Sequence, residues 1–394
     1  MKNNKQFKVW MLGRVDQSLL VAEFLLKKKK LIKWDSFIRL SDKGLLRIFF
    51  KDSKRIMNSN MRKIPGNHFL PELVSRFLAF FGYKKGNLFK DLLLAYLSKI
   101  NFNKNFDIIH GQGPYSLECA QLAKKHGKKF VYEISGQMQE TRKKQLKKIY
   151  KKYKIPLDTG IDYLQKRRIK EAIIADIIIC PSLILKKELC KLGFNKKKII
   201  TYKHDSNLSK ELTMVKRKKV KNKFLLMFVG EVSIAKGVQH AIFVQKKLRS
   251  IGINSELHIF GRIKHNFLKN DLEGFEIYFH GNVRKDVLKK YYTKSDLFIF
   301  PSYTEGSALV IYEAMAAGIP IITTEESGSI VKDKINGYIC KPENEHKMFL
   351  LARKLTKNES LRIRMGKNSR KIYLKEMKIS YPEQVMKIYS NLLN

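Results

Sequence analysis

Residues 296–320 read Asp-Leu-Phe-Ile-Phe-Pro-Ser-Tyr-Thr-Glu-Gly-Ser-Ala-Leu-Val-Ile-Tyr-Glu-Ala-Met-Ala-Ala-Gly-Ile-Pro, and this stretch decides the fold. Its apolar start, residues 297–300, predicts a buried strand, and a polar turn then leads into a helix over about residues 307–317. Gly318 stands where a left-handed C-cap belongs, and Pro320 prevents the helix from continuing. A second apolar run follows, so the stretch predicts a strand–turn–helix–strand unit of a parallel sheet.

Alternating strands and helices extend from this unit in both directions. At 394 residues the chain exceeds one ordinary hydrophobic core. We therefore expect an α/β protein with two Rossmann-like, doubly wound domains that face each other across a central cleft. The expected boundaries are residues 1–205 for the N-terminal domain, 206–222 for a polar linker, 223–375 for the C-terminal domain and 376–394 for a C-terminal helix that packs back on the N-terminal domain.

The charge of the chain is strongly unbalanced. The formal net charge is +45, and most of the excess lies before residue 222. A basic domain of this size is attracted to an anionic surface such as a membrane, a nucleic acid or a polyanionic polymer. No apolar run approaches the ~20 residues that span a bilayer. The four cysteines have no metal-ligand spacing, which predicts reduced thiols in a cytosolic protein.

An aromatic segment stands out within the basic half. Phe69, Leu73, Phe77, Phe80 and Phe81 lie near one face of a predicted helix, and lysines and arginines flank it. This composition is typical of a helix that inserts into an anionic membrane interface. Two ordinary core helices with solvated lysines are the alternative, and the sequence leaves both open.

Two carboxylates mark the opening stretch. Glu305 follows the strand at its carboxyl end, where open α/β sheets bind ligands. Glu313 lies in an otherwise apolar helix, where a charge is costly unless it faces a cleft or a partner. A glycosidase would need two carboxylates flanking one bond, and a turn and the helix after it do not provide that. Hydrogen bonds to the hydroxyls of a polyol ligand are the better use, with a lysine-paired surface acid as the simpler alternative for Glu313.

Lys236 follows a buried strand that ends near Gly230. It places an ammonium group at the same sheet edge as Glu305. A diphosphate there would contact Lys236 and the backbone N–H groups of residues 307–309, at the start of the helix. A solvated lysine is the alternative reading.

Two positions in the N-terminal half carry weaker signals. His110 follows a strand, where a structural histidine is more frequent than a catalytic one. Gly13 follows the first strand, but a single glycine is a weak indication of a phosphate-binding loop.

Several short motifs then combine into a resemblance. They are Phe228-Val-Gly230, Lys236-Gly237, Ile259-Phe-Gly261, Phe279-His-Gly281-Asn, the segment 295–302, Glu305-Gly-Ser with Glu313-Ala-Met-Ala, and Asn336-Gly337-Tyr338. In this order they resemble retaining glycosyltransferases of the GT-B fold, in particular family 4 with its Glu-x7-Glu signature. The match is dense over residues 224–342 and looser over 105–205, and residues 40–104 match no family.

The resemblance implies a nucleotide-sugar donor that binds mainly to the C-terminal domain, with no metal and no other cofactor. Glu305 would bind hydroxyls of the transferred sugar, Lys236 would balance charge on the departing diphosphate, and Glu313 would bind the ribose. The implied donor-binding residues are Gly230, Glu231, Lys236, Arg262, Val283, Arg284, Glu305, Gly306, Ser307, Ala308, Leu309 and Glu313. The candidate catalytic residues are Glu305, Lys236 and His110, and the acceptor-side residues are Gly13 and Ser135.

Two departures from the family pattern concern the mechanism. The family commonly has arginine where this chain has Glu231, so one expected phosphate-binding cation is missing, and Arg262 is the candidate substitute. Many members carry a histidine where this chain has Ser135.

Three functions remain open. The first is a cytoplasmic glycosyltransferase, peripheral at the inner face of the plasma membrane, that builds a surface polysaccharide or glycolipid on a lipid-linked or saccharide acceptor. The second is a polyanion or nucleic-acid binder with an inactive sugar cleft, although no module for a specific nucleic acid is present. The third is a nucleotide-sugar epimerase or hydrolase on the same fold. We favour the first, because the second leaves the glutamate pair without a role.

Overall fold

Two parallel β-sheets form the framework of the protein. The computed structural model describes residues 7–37, 39–41, 56–57, 59–81, 86–157, 162–203, 206–218, 222–270 and 272–394. The strands of the N-terminal half are β1 (Val9–Leu12), β2 (Leu31–Phe37), β3 (Leu40–Ser41), β4 (Ile56–Met57), β5 (Asn67–His68), β6 (Ile108–Gln112), β7 (Lys129–Glu133), β8 (Ile177–Cys180) and β9 (Ile199–Thr201). Within the described residues, the first sheet has the order β5-β2-β1-β6-β7-β8-β9, and β3 pairs with β4.

Helices cover this sheet and connect its parallel strands. They are α1 (Val15–Lys27), α2 (Ser59–Lys63), α3 (Leu70–Phe80), α4 (Gly86–Ile100), α5 (Leu117–Lys125), α6 (Gln139–Lys152), α7 (Asp162–Ile174) and α8 (Leu183–Lys191). Among the described helices of the chain, none combines the length and the hydropathy that a membrane span requires.

The C-terminal half repeats the same architecture. Its strands are β10 (Phe224–Val229), β11 (Ser255–Phe260), β12 (Ile277–Gly281), β13 (Leu297–Phe300), β14 (Ile321–Thr324) and β15 (Gly337–Cys340), and its helices are α10 (Val238–Ser250), α11 (Lys285–Lys294), α12 (Leu309–Ala316), α13 (Glu345–Lys357) and α14 (Glu359–Glu376). The sheet order in the described chain is β12-β11-β10-β13-β14-β15, with every neighbour parallel. All six residues of β10 are buried, as expected for a strand covered on both faces. The predicted pair of doubly wound domains is confirmed.

The opening stretch folds as the predicted strand–turn–helix–strand unit, from β13 through α12 to β14. Gly318 has the left-handed backbone expected of a residue that ends a helix, with φ +75°. The helix begins at Leu309, two residues later than predicted. The reason is tertiary: the Ser307 hydroxyl donates to the carbonyl of Gly328 at 3.0 Å, and the Ala308 N–H donates to a neighbouring carbonyl of the same loop. These bonds hold the chain out of the helix.

Three segments tie the halves together. Residues 206–222, predicted as a linker, contain helix α9 (Asn207–Thr213), which packs against α11 and α12. The last helix, α15 (Tyr381–Leu393), packs on α1 and joins the core of the first sheet. Helix α6 is the reverse case: it follows β7 of the first sheet, but Leu146, Ile149 and Tyr150 join the core of the second.

The contact with α15 depends on the Glu133 carboxylate, which is almost fully buried at the carboxyl end of β7. Tyr381 of α15 donates to it at 2.8 Å, Tyr202 and Gln112 also donate to it, and the His110 Nε2 atom lies 3.1 Å away. Burial alone would raise the pKa of Glu133, but the hydrogen bonds of His110, Tyr202 and Gln112 outweigh it and hold the pKa below its usual value. Folding therefore favours the ionised carboxylate.

Glu133→Gln keeps the side-chain volume and removes this charge, so we expect the free energy of unfolding to fall by about 2–3 kcal/mol at neutral pH. Because the folded pKa is depressed, the contribution of the charge is complete above the ordinary carboxylate value of 4.5 and is lost as pH falls through the depressed value. Denaturant titrations should show the gap between wild type and variant closing in that range.

The matched control is Glu140→Gln, an exposed acid of α6 that pairs with Lys143. It should change stability by less than about 0.5 kcal/mol. A gap for Glu133→Gln that does not vary with pH would contradict the role assigned to its charge.

Candidate active site

The candidate site lies at the carboxyl ends of β10 and β13, the two central strands of the second sheet. After β10 the chain makes a short 3-10 helix, Ile234–Lys236, and Gly237 then turns it with φ +74°. A Cβ atom on Gly237 would lie 2.0 Å from the Pro301 carbonyl oxygen, so this position must be glycine for the two turns to touch. The contact brings the turn after β10 against the turn after β13.

Lys236 and Glu305 meet where these turns touch. The Lys236 ammonium group donates directly to Glu305 Oε1. Their side chains are 26% and 18% exposed, so a ligand in the cleft can reach both groups. The predicted placement of a cation and a carboxylate at one sheet edge is therefore what the structure has.

The backbone at the start of α12 differs from the prediction. Residues 307–309 were expected to offer N–H groups to a phosphate, but the Ala308 N–H donates to the Ser327 carbonyl at 2.9 Å. This N–H group cannot donate to a phosphate as long as the loop after β14 keeps this position. The Gly306 carbonyl is also engaged, because the Ser182 hydroxyl donates to it at 2.5 Å.

Glu231, which replaces the arginine common in the family, forms an ion pair with Arg262. Its Oε1 atom lies 2.8 Å from an Nη atom of Arg262. Gly230 precedes Glu231 and joins β10 to its neighbour through a bond to the Phe260 carbonyl at 2.8 Å. Burial would raise the pKa of Glu231, but the Arg262 hydrogen bond and the nearby Lys264 outweigh it, so the pKa lies below its usual value. Arg262 thus lies near the site with its charge offset by Glu231.

Val283 and Arg284 lie in the turn after β12, two strands away from β10. Arg284 is bound to Asp286 by two hydrogen bonds of 3.0 and 2.9 Å, and its side chain is 84% exposed. The structure therefore places Arg284 on the outer part of the sheet edge and does not bring it to the Lys236–Glu305 pair.

Glu313 lies apart from Glu305, in the middle of α12, and is only 8% exposed. Tyr292 of α11 donates to its carboxylate at 2.9 Å, and Ser206, the N-cap of α9, donates at 3.3 Å. Burial and the neighbouring carboxylate raise the pKa of Tyr292, which therefore remains a neutral donor. The buried Glu313 carboxylate thus accepts hydrogen bonds from α11 and from the start of α9 in this conformation.

The candidate catalytic role of His110 is not supported by its position. The ring is fully buried, with Nδ1 2.5 Å from the Tyr389 hydroxyl and Nε2 3.1 Å from the Glu133 carboxylate. Both nitrogens thus serve the contact with α15, and a ligand in the cleft cannot reach the buried ring.

The two acceptor-side positions have different surroundings. A Cβ atom on Gly13 would lie 2.6 Å from the Gln112 amide oxygen, so the space above this turn is filled by protein. Ser135 lies at the boundary between the halves, and its carbonyl oxygen contacts Gly306 in the turn after β13.

Two of the cavities lie at opposite ends of the strands of the second sheet. One of about 880 Å³ lies between the halves, beside the turn after β13, and Gln137, Ser182 and Gly328 line it. Another, of about 660 Å³, lies at the amino ends of the strands. There Arg217 and Arg370 donate to carbonyls at the ends of α11 and α12. Those guanidinium groups cap helices, and we assign that cavity no catalytic role. In the described part of the chain, no three His, Cys, Asp or Glu side chains cluster as a metal ion would require.

Comparison with known proteins places this geometry in a family. Residues 209–372, which contain β10 to α13, the first part of α14 and both glutamates, match the family described as glycosyl transferases group 1. The C-terminal half of the chain is similar to this family, and we call residues 209–372 the group 1 domain. The group 1 domain thus includes Lys236, Glu305 and Glu313.

Individual relatives agree with this placement. An uncharacterized glycosyltransferase of Methanocaldococcus jannaschii is 31% identical over 186 residues, which is 42% of this chain and 47% of that protein. The capsular polysaccharide biosynthesis glycosyltransferase CapM of Staphylococcus aureus is 27% identical over 203 residues, 49% of this chain and 53% of the relative. The chain thus spans about half the length of the curated relatives it matches.

Solved structures extend the similarity to the whole fold. The crystal structure of Anabaena HepE in complex with UDP and glucose superposes with a TM-score of 0.67 at 13% identity, and covers 98% of this chain and 99% of that one. At that identity the likeness shows the fold alone, and the fold is GT-B, with the group 1 domain as its C-terminal half.

Four residues that contact Glu313 or the turn of Glu305 were not predicted as site residues from the sequence. Tyr292 and Ser206 surround Glu313, and Gln137 and Ser182 reach the turn that carries Glu305 from the other half of the protein. Ser182 stands immediately before α8, a position typical of an N-cap, and its hydroxyl accepts the Leu185 N–H there. Its second bond joins residues 124 positions apart, and no local pattern reports such a contact.

Glu231→Gln releases Arg262 from its ion pair, so we expect the group 1 domain to bind inorganic pyrophosphate about 3- to 10-fold more tightly at low salt. The reason is that the pair is partly exposed and worth roughly 1 kcal/mol. Isothermal titration calorimetry measures the change. Arg262→Gln should weaken binding, and Glu256→Gln, which breaks a similar pair with Lys223 at the other end of the sheet, should leave it unchanged. Equal affinities for pyrophosphate in wild type and Glu231→Gln would contradict the conclusion that Glu231 neutralises the charge of Arg262.

Proposed function

We propose that the protein is a retaining glycosyltransferase of family 4 that transfers a hexosyl group from a nucleotide-sugar donor to a lipid-linked or saccharide acceptor in cell-surface glycan synthesis. The observation that carries the proposal is the direct Lys236–Glu305 pair in the group 1 domain, at a sheet edge that faces the other domain. A cation and an acceptor of hydroxyl hydrogen bonds are what a sugar diphosphate requires at neighbouring positions.

The proposed chemistry follows from where charge develops. The bond between the anomeric carbon and the diphosphate breaks, and its electron pair leaves with the diphosphate. Lys236 stabilises that added charge, while Glu305 accepts hydrogen bonds from hydroxyls of the sugar and orients it. The acceptor hydroxyl oxygen bonds to the anomeric carbon on the same face, and its proton passes to the departing phosphate oxygen. No metal enters the proposed reaction.

Without a donor, Lys236 and Glu305 neutralise each other, so binding must exchange one set of contacts for another. A diphosphate replaces Glu305 as the partner of Lys236, and sugar hydroxyls replace Lys236 as donors to Glu305. Glu313 is proposed to bind the ribose, which requires it to exchange its bonds with Tyr292 and Ser206 for the ribose hydroxyls. Each carboxylate thus keeps hydroxyl or ammonium donors in both states, so neither is left unpaired in the cleft.

The relatives support this direction. CapM is named for capsular polysaccharide biosynthesis, and HepE was crystallised with UDP and glucose. We infer from them a uridine nucleotide sugar as the first donor to test and a glycan as the product.

A nucleotide-sugar hydrolase or epimerase on the same fold remains the rival. A hydrolase releases nucleotide at the same rate with or without an acceptor, and an epimerase releases none. Nucleotide release that depends on an added acceptor therefore selects the transferase.

Glu305→Gln and Lys236→Ala should each lower acceptor-dependent nucleotide release at least about 100-fold, because each removes a charge that acts on the reacting group. A coupled assay with a panel of nucleotide sugars measures the release. Circular dichroism and the melting temperature should stay close to wild type, since both side chains are partly exposed. The control is Lys289→Ala, an exposed lysine of α11 that pairs with Glu211. Full activity in either site variant would refute the assignment.

The membrane part of the proposal rests on α3, whose amphipathicity is inverted. Its buried side carries a carboxylate: Glu72 is 6% exposed and binds Lys90 of α4. Its outer side carries apolar side chains that include Phe77, 62% exposed, and Phe80, 86% exposed. We call this surface the α3 ridge: Leu70, Leu73, Phe77, Phe80 and Phe81.

Three strongly exposed phenylalanines in the α3 ridge indicate that another surface covers them in the functional state. A helix that packs as an ordinary core element would bury its phenylalanines and expose its acid, which is the reverse of α3. A contiguous exposed apolar patch on a monomer marks a binding surface for a protein or a membrane. The strongly basic N-terminal half favours an anionic membrane. We therefore propose a peripheral position at the inner face of the plasma membrane, where a lipid-linked acceptor is held.

The variant Phe77→Ser/Phe80→Ser should bind vesicles of phosphatidylglycerol and phosphatidylcholine at least about 10-fold more weakly than wild type. Each exposed phenylalanine that enters a bilayer contributes about 1.5–3 kcal/mol. Co-sedimentation measures binding, and wild-type binding should weaken as salt rises.

The matched control replaces two exposed apolar residues of the C-terminal half, Ile251→Ser and Leu350→Ser, which are 46% exposed each. It should bind like wild type. Vesicle binding that does not change with the lipid charge, or that is the same in the ridge variant and in wild type, would refute the membrane proposal.

A further inference from the structure

The turn that carries Glu305 is held from the opposite domain on both sides of the glutamate. On one side, the Thr304 hydroxyl donates to the amide oxygen of Gln137. On the other, the Gly306 carbonyl accepts a 2.5 Å hydrogen bond from the Ser182 hydroxyl. Gln137 and Ser182 follow β7 and β8 of the first sheet, so both bonds cross the domain boundary.

Gly306 itself is in close contact with the first half. A Cβ atom at this position would lie 1.8 Å from the Ser135 carbonyl oxygen, a distance that no side chain tolerates. The Gly306 carbonyl in turn would lie 2.4 Å from a Cβ on Gly328. The backbone of residues 304–306 therefore lies between the loop after β7 and the loop after β14.

The partners of this turn are themselves well fixed. Ser182 is fastened to α8, because its hydroxyl also accepts the Leu185 N–H at 3.3 Å. Gln137 and Thr304 are 8% and 7% exposed, so water competes weakly for the bond between them. The first half thus presents two buried contacts to the turn, one on each side of Glu305.

We propose that Ser182 and Gln137 are positioning residues for Glu305: the N-terminal domain sets the backbone that carries the sugar-binding carboxylate. This inference rests on the proposed glycosyltransferase function and adds a condition to it. Both bonds come from the N-terminal domain, so the geometry of Glu305 depends on the contact between the two domains. Donor contacts made by the group 1 domain alone do not depend on this contact.

The coupling predicts a particular kinetic pattern. A carboxylate displaced by about 1 Å can cost a factor of 100 in rate while the bulk of the donor still binds. Loss of either bond should therefore lower kcat and leave the donor KM nearly unchanged. A merely structural serine or glutamine would instead lower stability and leave both kinetic constants unchanged.

The test uses Ser182→Ala and Gln137→Met in the full chain. We expect kcat to fall 10- to 100-fold with donor KM within about threefold of wild type. Ser182→Thr, which keeps the hydroxyl, should recover most of kcat. The control is Ser369→Ala, which removes a buried hydroxyl bonded to the Asn336 carbonyl inside the C-terminal domain, and it should keep wild-type kinetics.

Amide hydrogen exchange makes the structural half of the inference independent of turnover. Peptides that contain residues 303–309 should exchange faster in Ser182→Ala and Gln137→Met than in wild type or Ser369→Ala. If wild type releases no nucleotide from any donor, the proposed function fails, while the exchange result still decides whether these residues hold the turn. Unchanged exchange, an unchanged kcat, or a rise in donor KM with kcat intact would each overturn the positioning role.

Discussion

A backbone contact joins the two halves beside Glu305, and the geometry of the site depends on it. The Ser135 carbonyl occupies the space where a side chain on Gly306 would be, so the loop after β7 and the turn after β13 can meet only through a glycine. This contact brings the first sheet to the edge of the group 1 domain. It also places the catalytic candidate Glu305 one residue from the domain boundary.

Electrostatic pairing explains much of the remaining arrangement. Lys236 and Glu305 neutralise each other in the cleft, and Glu231 offsets the charge of Arg262. The Glu133 carboxylate is satisfied by hydroxyl, amide and imidazole groups and anchors α15 to the first sheet. The second set of groups is buried and structural, whereas the first set is partly exposed and can exchange its partners for a ligand. Burial therefore separates Glu133 from Glu231 and Glu305.

The α3 ridge adds a separate level of organisation. Its acid faces inward to Lys90 and its phenylalanines face outward, an arrangement that costs free energy in water unless another surface covers it. The cleft and the ridge belong to different parts of the chain, so the proposed donor chemistry and the proposed membrane attachment can be tested by separate substitutions. The basic composition of the N-terminal half acts over longer distances than either and favours the proposed attraction to an anionic surface.

The sequence alone determined the alternation of strands and helices, the unit around residues 296–320, and the meeting of Lys236 with Glu305, because each follows from local periodicity and from the common edge of parallel strands. Only the tertiary structure decided that His110 is buried beneath α15, that Glu313 binds Tyr292 and Ser206, and that Ser182 supports the turn of Glu305. The reason is physical. These contacts join residues distant in the chain, and which side chains meet there depends on how two sheets and a returning helix pack.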